Sequence, residues 1–283
     1  MDRSHTMPRL CFIMALILSL IGVALRSICM LISFDPDPGY FSEGILPTLS
    51  DALYFVVLVA VAVCAFLIPR GALSHTLRTP MRLSLAICLG SVLALFTVLS
   101  LIISFQNRRD NIMIAPSLLG LLASIYYFAS ANRKEQFPDW LSFLGYLPAL
   151  WSIAAVGEIY FDHYTTMNSP VKISLQFACL GFMLIVLAEL RFRVNRSTPR
   201  YSASLLAIGS YACLTGSLPL LLATGAGQLD NIRHLFYAVV LLVAGVYGLY
   251  LLFCCTCLPG TLSVQVPADV SPVSPEEITP NAE

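Results

Sequence analysis

Glu158 interrupts an apolar run that has little use for a charge. The segment Ala154-Ala155-Val156-Gly157-Glu158-Ile159-Tyr160-Phe161 is otherwise uncharged, and Asp162 follows one turn later on the same face of a continuing helix. A charged side chain inside a membrane span costs about 2.5–3.5 kcal/mol on insertion scales, so it is a functional candidate by default. Small residues just before Glu158 would let a neighbouring helix approach closely. Across the next connection, Met167-Asn168-Ser169-Pro170-Val171-Lys172, Asn168 or Ser169 suits a helix cap and Pro170 a first turn. Lys172 and Gln176 then share a face, and a Glu158–Lys172 pair across the hairpin is sterically reasonable. Such a cluster either locks the hairpin or forms an outward-facing substrate or proton site. The competing reading of Glu158 is a helix-end carboxylate exposed to headgroup water.

Other polar residues divide in the same way. Arg26 lies in the first apolar run, where its guanidinium either climbs to the headgroups or meets a carboxylate inside the bundle. Glu189, in Ala188-Glu189-Leu190-Arg191-Phe192-Arg193, reads as an inner-rim residue paired locally with an arginine, a contact that contributes little. Asp51 and Asp139 each precede a span and read as helix N-caps. His75, His163 and His234 have no second His or acid at the four-residue step of a helical zinc site. All nine cysteines fall in or beside apolar runs and are expected to pack as small hydrophobes. The cluster Cys254-Cys255-Thr256-Cys257 has no nearby His or carboxylate to complete a metal site. No catalytic residue, metal or cofactor is expected. Trp140, Trp151 and the tyrosines near span ends fit aromatic belts at the membrane surface.

The elements that must carry these residues follow from composition. The chain has 283 residues, 58% hydrophobic and only 11% charged, whereas a soluble domain is about a quarter charged. So few charges cannot coat a water-facing surface; lipid is the natural solvent. A net charge of zero argues against nucleic acid as a partner. Eight apolar stretches approach the roughly 20 residues that a spanning helix needs: 10–33, 51–69, 83–105, 112–130, 140–161, 172–190, 201–224 and 235–257. Backbone groups in lipid must be satisfied within the segment, and no alternating pattern of a β-barrel is present. The expected fold is all-α, a polytopic transmembrane helix bundle of about eight spans over residues 1–257. The first run has a basic start but is followed by Arg26 and not by a small-residue cleavage site, so it reads as a helix; its removal would leave seven spans.

Orientation comes from the basic residues. With the N-terminus inside, the inner segments carry Arg3, Arg9, Arg70, Arg78, Arg82, Arg133, Lys134, Arg191, Arg193, Arg196 and Arg200. The outer ones carry Arg108, Arg109, Lys172 and Arg233. Eleven against four places both termini in the cytoplasm, with the Arg108–Arg109 loop running against the rule. Residues 258–283, rich in Pro, Ser and acid, read as a disordered tail. Thr79-Pro80 with Gly90-Ser91 and Thr198-Pro199 with Gly209-Ser210 share one spacing, which raises two parallel four-helix halves, 1–120 and 121–257.

Three function classes remain. A secondary transporter or permease for a small solute or ion fits the span count and the polar cluster, with Glu158, Asp162, Lys172, Gln176 and Arg26 as its site. A non-catalytic accessory or sensory subunit would bind a protein or anionic lipid through the arginine-rich inner loops. A lipid-directed hydrolase ranks last, because no Gly-x-Ser-x-Gly elbow or His-Glu-x-x-His motif is present. The predominance of Arg over Lys and the compact loops point to a bacterial cytoplasmic membrane.

Overall fold

A computed structural model describes residues 3–37, 39–68, 79–106, 114–131, 143–163, 165–193, 199–229 and 231–257. Eight helices account for nearly all of them: α1 Arg3–Ser33, α2 Ile45–Phe66, α3 Pro80–Gln106, α4 Ile114–Ser130, α5 Leu147–Phe161, α6 Pro170–Arg193, α7 Pro199–Gly225 and α8 Ile232–Cys257. Two short antiparallel strands, β1 Phe34–Asp35 and β2 Tyr40–Phe41, close the connection between α1 and α2.

Six helices, α1, α2, α3, α6, α7 and α8, are long and apolar enough to cross a membrane. The chain is therefore a multi-pass, integral membrane protein. Helices α4 and α5 are apolar but shorter, 17 and 15 residues. At 1.5 Å per residue they extend about 26 and 23 Å, less than the roughly 30 Å hydrocarbon core. The fifth apolar stretch, expected from residue 140, carries α5 from Leu147, with Pro148 in its first turn. The expected Asp139 cap, Trp140, His75, the Arg108–Arg109 loop, the tail 258–283 and most of the arginine-rich loops lie outside the described residues.

Five helices form a closed circuit in which each packs on its neighbours: α3, α4, α5, α6 and α8. Helix α7 covers the α6–α8 side, and α1 and α2 pack on α7 from without. Burial follows this order: 67% of the apolar window of α7 is buried, against 22% of that of α2. The tightest seam is α6–α7. A Cβ on Gly209 would lie 2.5 Å from the Gly181 carbonyl oxygen, and one on Gly216 would lie 2.4 Å from that of Ser174. Small residues drive helix packing in lipid in this way, because backbones gain van der Waals contact that bulkier side chains would block. Four hydroxyls of α7 are satisfied inside the helix: Ser210, Thr215, Ser217 and Thr224 each donate to the carbonyl four residues earlier.

Aromatic side chains fill the circuit. Phe96 of α3, Tyr127 of α4, Trp151 of α5, Phe182 of α6, and Tyr237 and Tyr247 of α8 are all buried. Several of their contacts cross between helices that are not neighbours in the ring, as Trp151 to Tyr237 and Tyr127 to Tyr247 do. This corrects the belt expectation for Trp151: it is 0% exposed, at the centre of the bundle and away from its rim.

Candidate functional site

One end of the bundle gathers three connections, and hydrogen bonds tie them together. The turn between β1 and β2 reverses at Gly39, whose positive φ of 71° suits glycine and whose amide donates to Asp35 O at 3.0 Å. The Tyr40 hydroxyl donates to Met167 O in the α5–α6 connection. Gln228 Nε2, in the α7–α8 connection, donates to Leu31 O at 3.0 Å. Between them opens a cleft of about 650 Å³, lined by apolar residues such as Phe34 and Ile103 and by Asp37, Thr165, Gln228, Asn231, Arg233 and His234.

Beneath the cleft lie the carboxylates. Helix α5 ends at Phe161, and Asp162 is its extended C-cap. The Asp162 side chain is nonetheless 6% exposed, with His234 Nε2 3.3 Å from its Oδ2. The same oxygen accepts from Thr165 Oγ1 at 2.9 Å and lies 3.5 Å from Asn231 Nδ2. Asn231 in turn caps α8, its Oδ1 accepting from the Arg233 amide at 3.1 Å. One turn deeper, the Tyr237 hydroxyl donates to Glu158 Oε2 at 2.5 Å, and both residues are buried. Two polar rungs thus join α5 to α8, Asp162–His234 near the cleft and Glu158–Tyr237 below it.

Lys172 belongs to the same end. Ser169 Oγ accepts from the Lys172 amide at 3.2 Å, so Ser169 caps α6, while Asn168 takes the left-handed turn before it at φ 59°. The Lys172 ammonium, buried to 3% exposure, donates to the Asp162 carbonyl oxygen at 2.5 Å. It therefore anchors the end of α5 through the backbone. Gln176 faces elsewhere: with Val156, Gly157 and Tyr160 it lines a separate groove between α5 and α6.

No family model, curated protein or solved structure matches the chain. The assignment of its chemistry rests on geometry.

Arg26 sits apart from the cleft. Its Nη1 donates to Asp51 Oδ1 at 2.5 Å and its Nη2 to Ser174 Oγ at 3.3 Å, with the guanidinium 4.9 Å from the Phe41 ring centre. Arg26 thus meets a carboxylate, but one whose side chain is exposed and not inside the bundle. Asp51 is consequently not an N-cap: α2 begins at Ile45 after Gly44, and Asp51 lies inside the helix.

Glu189 also departs from expectation. It is 0% exposed and bonded across the bundle, accepting from Arg82 Nη2 of α3 at 3.3 Å and from Tyr247 Oη of α8 at 2.8 Å. The sequence offered only its local arginines; Arg82 lies 107 positions away. His234 and Tyr237 were likewise missed, since nothing in linear spacing joins them to Asp162 and Glu158. None of the nine cysteines is joined in a disulfide, and among the described residues no group of three His, Cys, Asp or Glu side chains could hold a metal.

Proposed function

We propose that this protein is a secondary transporter or permease for a small polar solute or ion, with eight spans and both termini in the cytoplasm. The cleft at the hairpin end would then face outward and admit the solute. Glu158 is its coupling carboxylate, Asp162 and His234 form the gate above it, and Lys172 fixes the α5–α6 connection that carries them. The observation that carries this reading is the buried Glu158–Tyr237 pair placed one turn beneath an open polar cleft. An ionisable group in a span is expensive, and its usual return is an ion or proton pathway. A site with an apolar wall and a few converging polar groups is also the usual form of a small-molecule pocket. Two parallel halves, 1–120 and 121–257, are compatible with this arrangement but not required.

Reconstitution in proteoliposomes tests the proposal. Uptake of radiolabelled solutes, driven by an imposed proton gradient, should be found in the native protein and lost in Glu158→Gln. Gradient-driven uptake unchanged in that variant would remove Glu158 from coupling. The accessory-subunit reading would gain if no solute is taken up while a membrane partner co-purifies.

A further inference from the structure

Gln176 is a polar residue that the cleft leaves unused. Its side chain is half-buried in the groove between α5 and α6, a space of about 370 Å³, and its carboxamide makes no hydrogen bond among the described residues. The other lining residues are Val156, Gly157, Tyr160, Phe177 and Leu180. Tyr160, Phe177 and Leu180 are exposed, as are Ile153 of α5 and Ile173 of α6 nearby. In a multi-pass membrane protein, a groove with such a rim opens to lipid. The glycines of the α6–α7 seam are closed in by neighbouring backbone, whereas a Cβ on Gly157 would meet nothing within 4 Å. Gly157 thus leaves open a space that no protein group fills.

Depth gives that space a chemistry. Gln176 is six residues into α6, about 9 Å along the axis from Pro170. Helical side chains lean towards the N-terminus, so its carboxamide is carried back towards the near membrane surface. The span Pro170–Phe192 is 23 residues, slightly longer than the roughly 30 Å hydrocarbon core. The carboxamide therefore reaches the upper edge of the hydrocarbon, where acyl chains meet their ester groups. An amide without a partner in apolar surroundings is unfavourable. A second copy of the chain would not relieve it, because its lipid-facing surface is apolar and its helical backbone is satisfied internally. A lipid ester presents a carbonyl acceptor at this level, with an apolar chain below it.

We propose that the α5–α6 groove binds a glycerophospholipid, one acyl chain lying over Gly157 and one ester carbonyl accepting a hydrogen bond from the Gln176 amide. The site needs neither the transport reading nor a choice of sidedness, since it fits whichever leaflet meets this end of the bundle. The bound chain packs on the turn of α5 that carries Glu158, the residue after Gly157. Lipid in the groove thus supports the short helix from the membrane side.

Thermal stability of the purified full chain in mixed micelles tests this. The probes are dioleoylphosphatidylcholine and its dialkyl ether counterpart, which keeps the headgroup and chains but lacks the ester carbonyls. The melting temperature of the native protein should rise saturably with the mole fraction of ester lipid. The ether lipid should act about threefold more weakly, the size of one hydrogen bond in a membrane protein. Gln176→Leu should respond to both lipids alike, at the level of the ether lipid. Gly157→Leu, which fills the groove from within, should lose the saturable rise. A native protein that treats the two lipids equally would overturn the proposal, as would an ester preference that survives in Gln176→Leu. Folded Gly157→Leu with an undiminished rise would also overturn it. Stabilisation by cholesterol in place of phospholipid would assign the groove to a sterol, and a dimer that Gly157→Leu converts to monomer would assign it to a second copy; either outcome contradicts the proposal. Should Gly157→Leu fail to fold, the ester–ether comparison in native protein and Gln176→Leu decides alone.

Discussion

Tyr237 and Tyr247 stand ten residues apart on α8, and each donates its hydroxyl to a buried carboxylate, Glu158 of α5 at 2.5 Å and Glu189 of α6 at 2.8 Å. A single helix thus holds both acidic groups of the five-helix circuit. Any movement of α8 relative to α5 and α6 alters the environment of both.

Removing one hydroxyl isolates the first contact. Tyr237→Phe should lower the stability of the detergent-solubilised protein by about 1 kcal/mol, the typical size of an interhelical hydrogen bond in a membrane protein. It should also weaken any ligand whose binding depends on Glu158. Thermal unfolding with and without that ligand separates the two effects.

The α6–α7 seam predicts a contrast between glycines. Gly209→Leu forces a side chain against the Gly181 carbonyl and Ile185, and should cost at the upper end of about 1–3 kcal/mol. Gly157→Ala meets nothing within 4 Å; its gain in helix propensity should leave the protein unchanged or up to about 1 kcal/mol more stable. Melting temperatures of the two variants, with size-exclusion profiles as a check on folding, measure the difference.

Two ion pairs should differ in strength for a reason visible in their burial. The Asp51 side chain is 58% exposed, whereas that of Glu189 is 0% exposed. A double-mutant cycle on Arg26 and Asp51 should give a coupling of no more than about 1 kcal/mol. One on Arg82 and Glu189 should give at least about 2 kcal/mol, because each single variant removes one side of a buried ion pair. Similar couplings at the two sites would show that burial does not set their strength.

Legibility in the sequence followed physical range. Membrane helices were readable because about 20 apolar residues are a local requirement that leaves a local trace. The capped start of α6 was readable for the same reason: Ser169, Pro170 and the turn residue Asn168 act within a few positions of one another. Glu158 and Asp162 stood out because a charge in an apolar run is conspicuous. Their partners did not. His234 and Tyr237 come from another helix, and the step between them means nothing until α5 and α8 are brought together. Glu189 reads as an exposed rim residue in sequence, yet α6 continues to Arg193 and keeps it buried, and its partners Arg82 and Tyr247 on other helices leave no local trace. Trp151 was misread because belts and cores draw on the same aromatic residues, and only packing distinguishes them.

Sidedness has its own test. With eight spans and the N-terminus inside, Met167→Cys in the α5–α6 connection should react with a membrane-impermeant thiol reagent on intact cells. Ala131→Cys, just after α4, should react only after permeabilisation. Both signals are read above the parent chain, whose nine native cysteines set the background. The reverse pattern would invert the bundle and place the cleft in the cytoplasm.

The claim that Glu158 lies at the heart of a solute site is tested most directly by ligand-dependent thermal stability. The purified protein and its Glu158→Gln variant would be melted at two pH values against ions, amino acids, sugars, nucleosides and lipids. A ligand specific for the folded state adds about 2.7 kcal/mol at a hundred times its Kd. The account predicts at least one polar solute that stabilises the native protein and loses that effect in Glu158→Gln. A solute that stabilises both equally, or none across the panel with both proteins well folded, would contradict it.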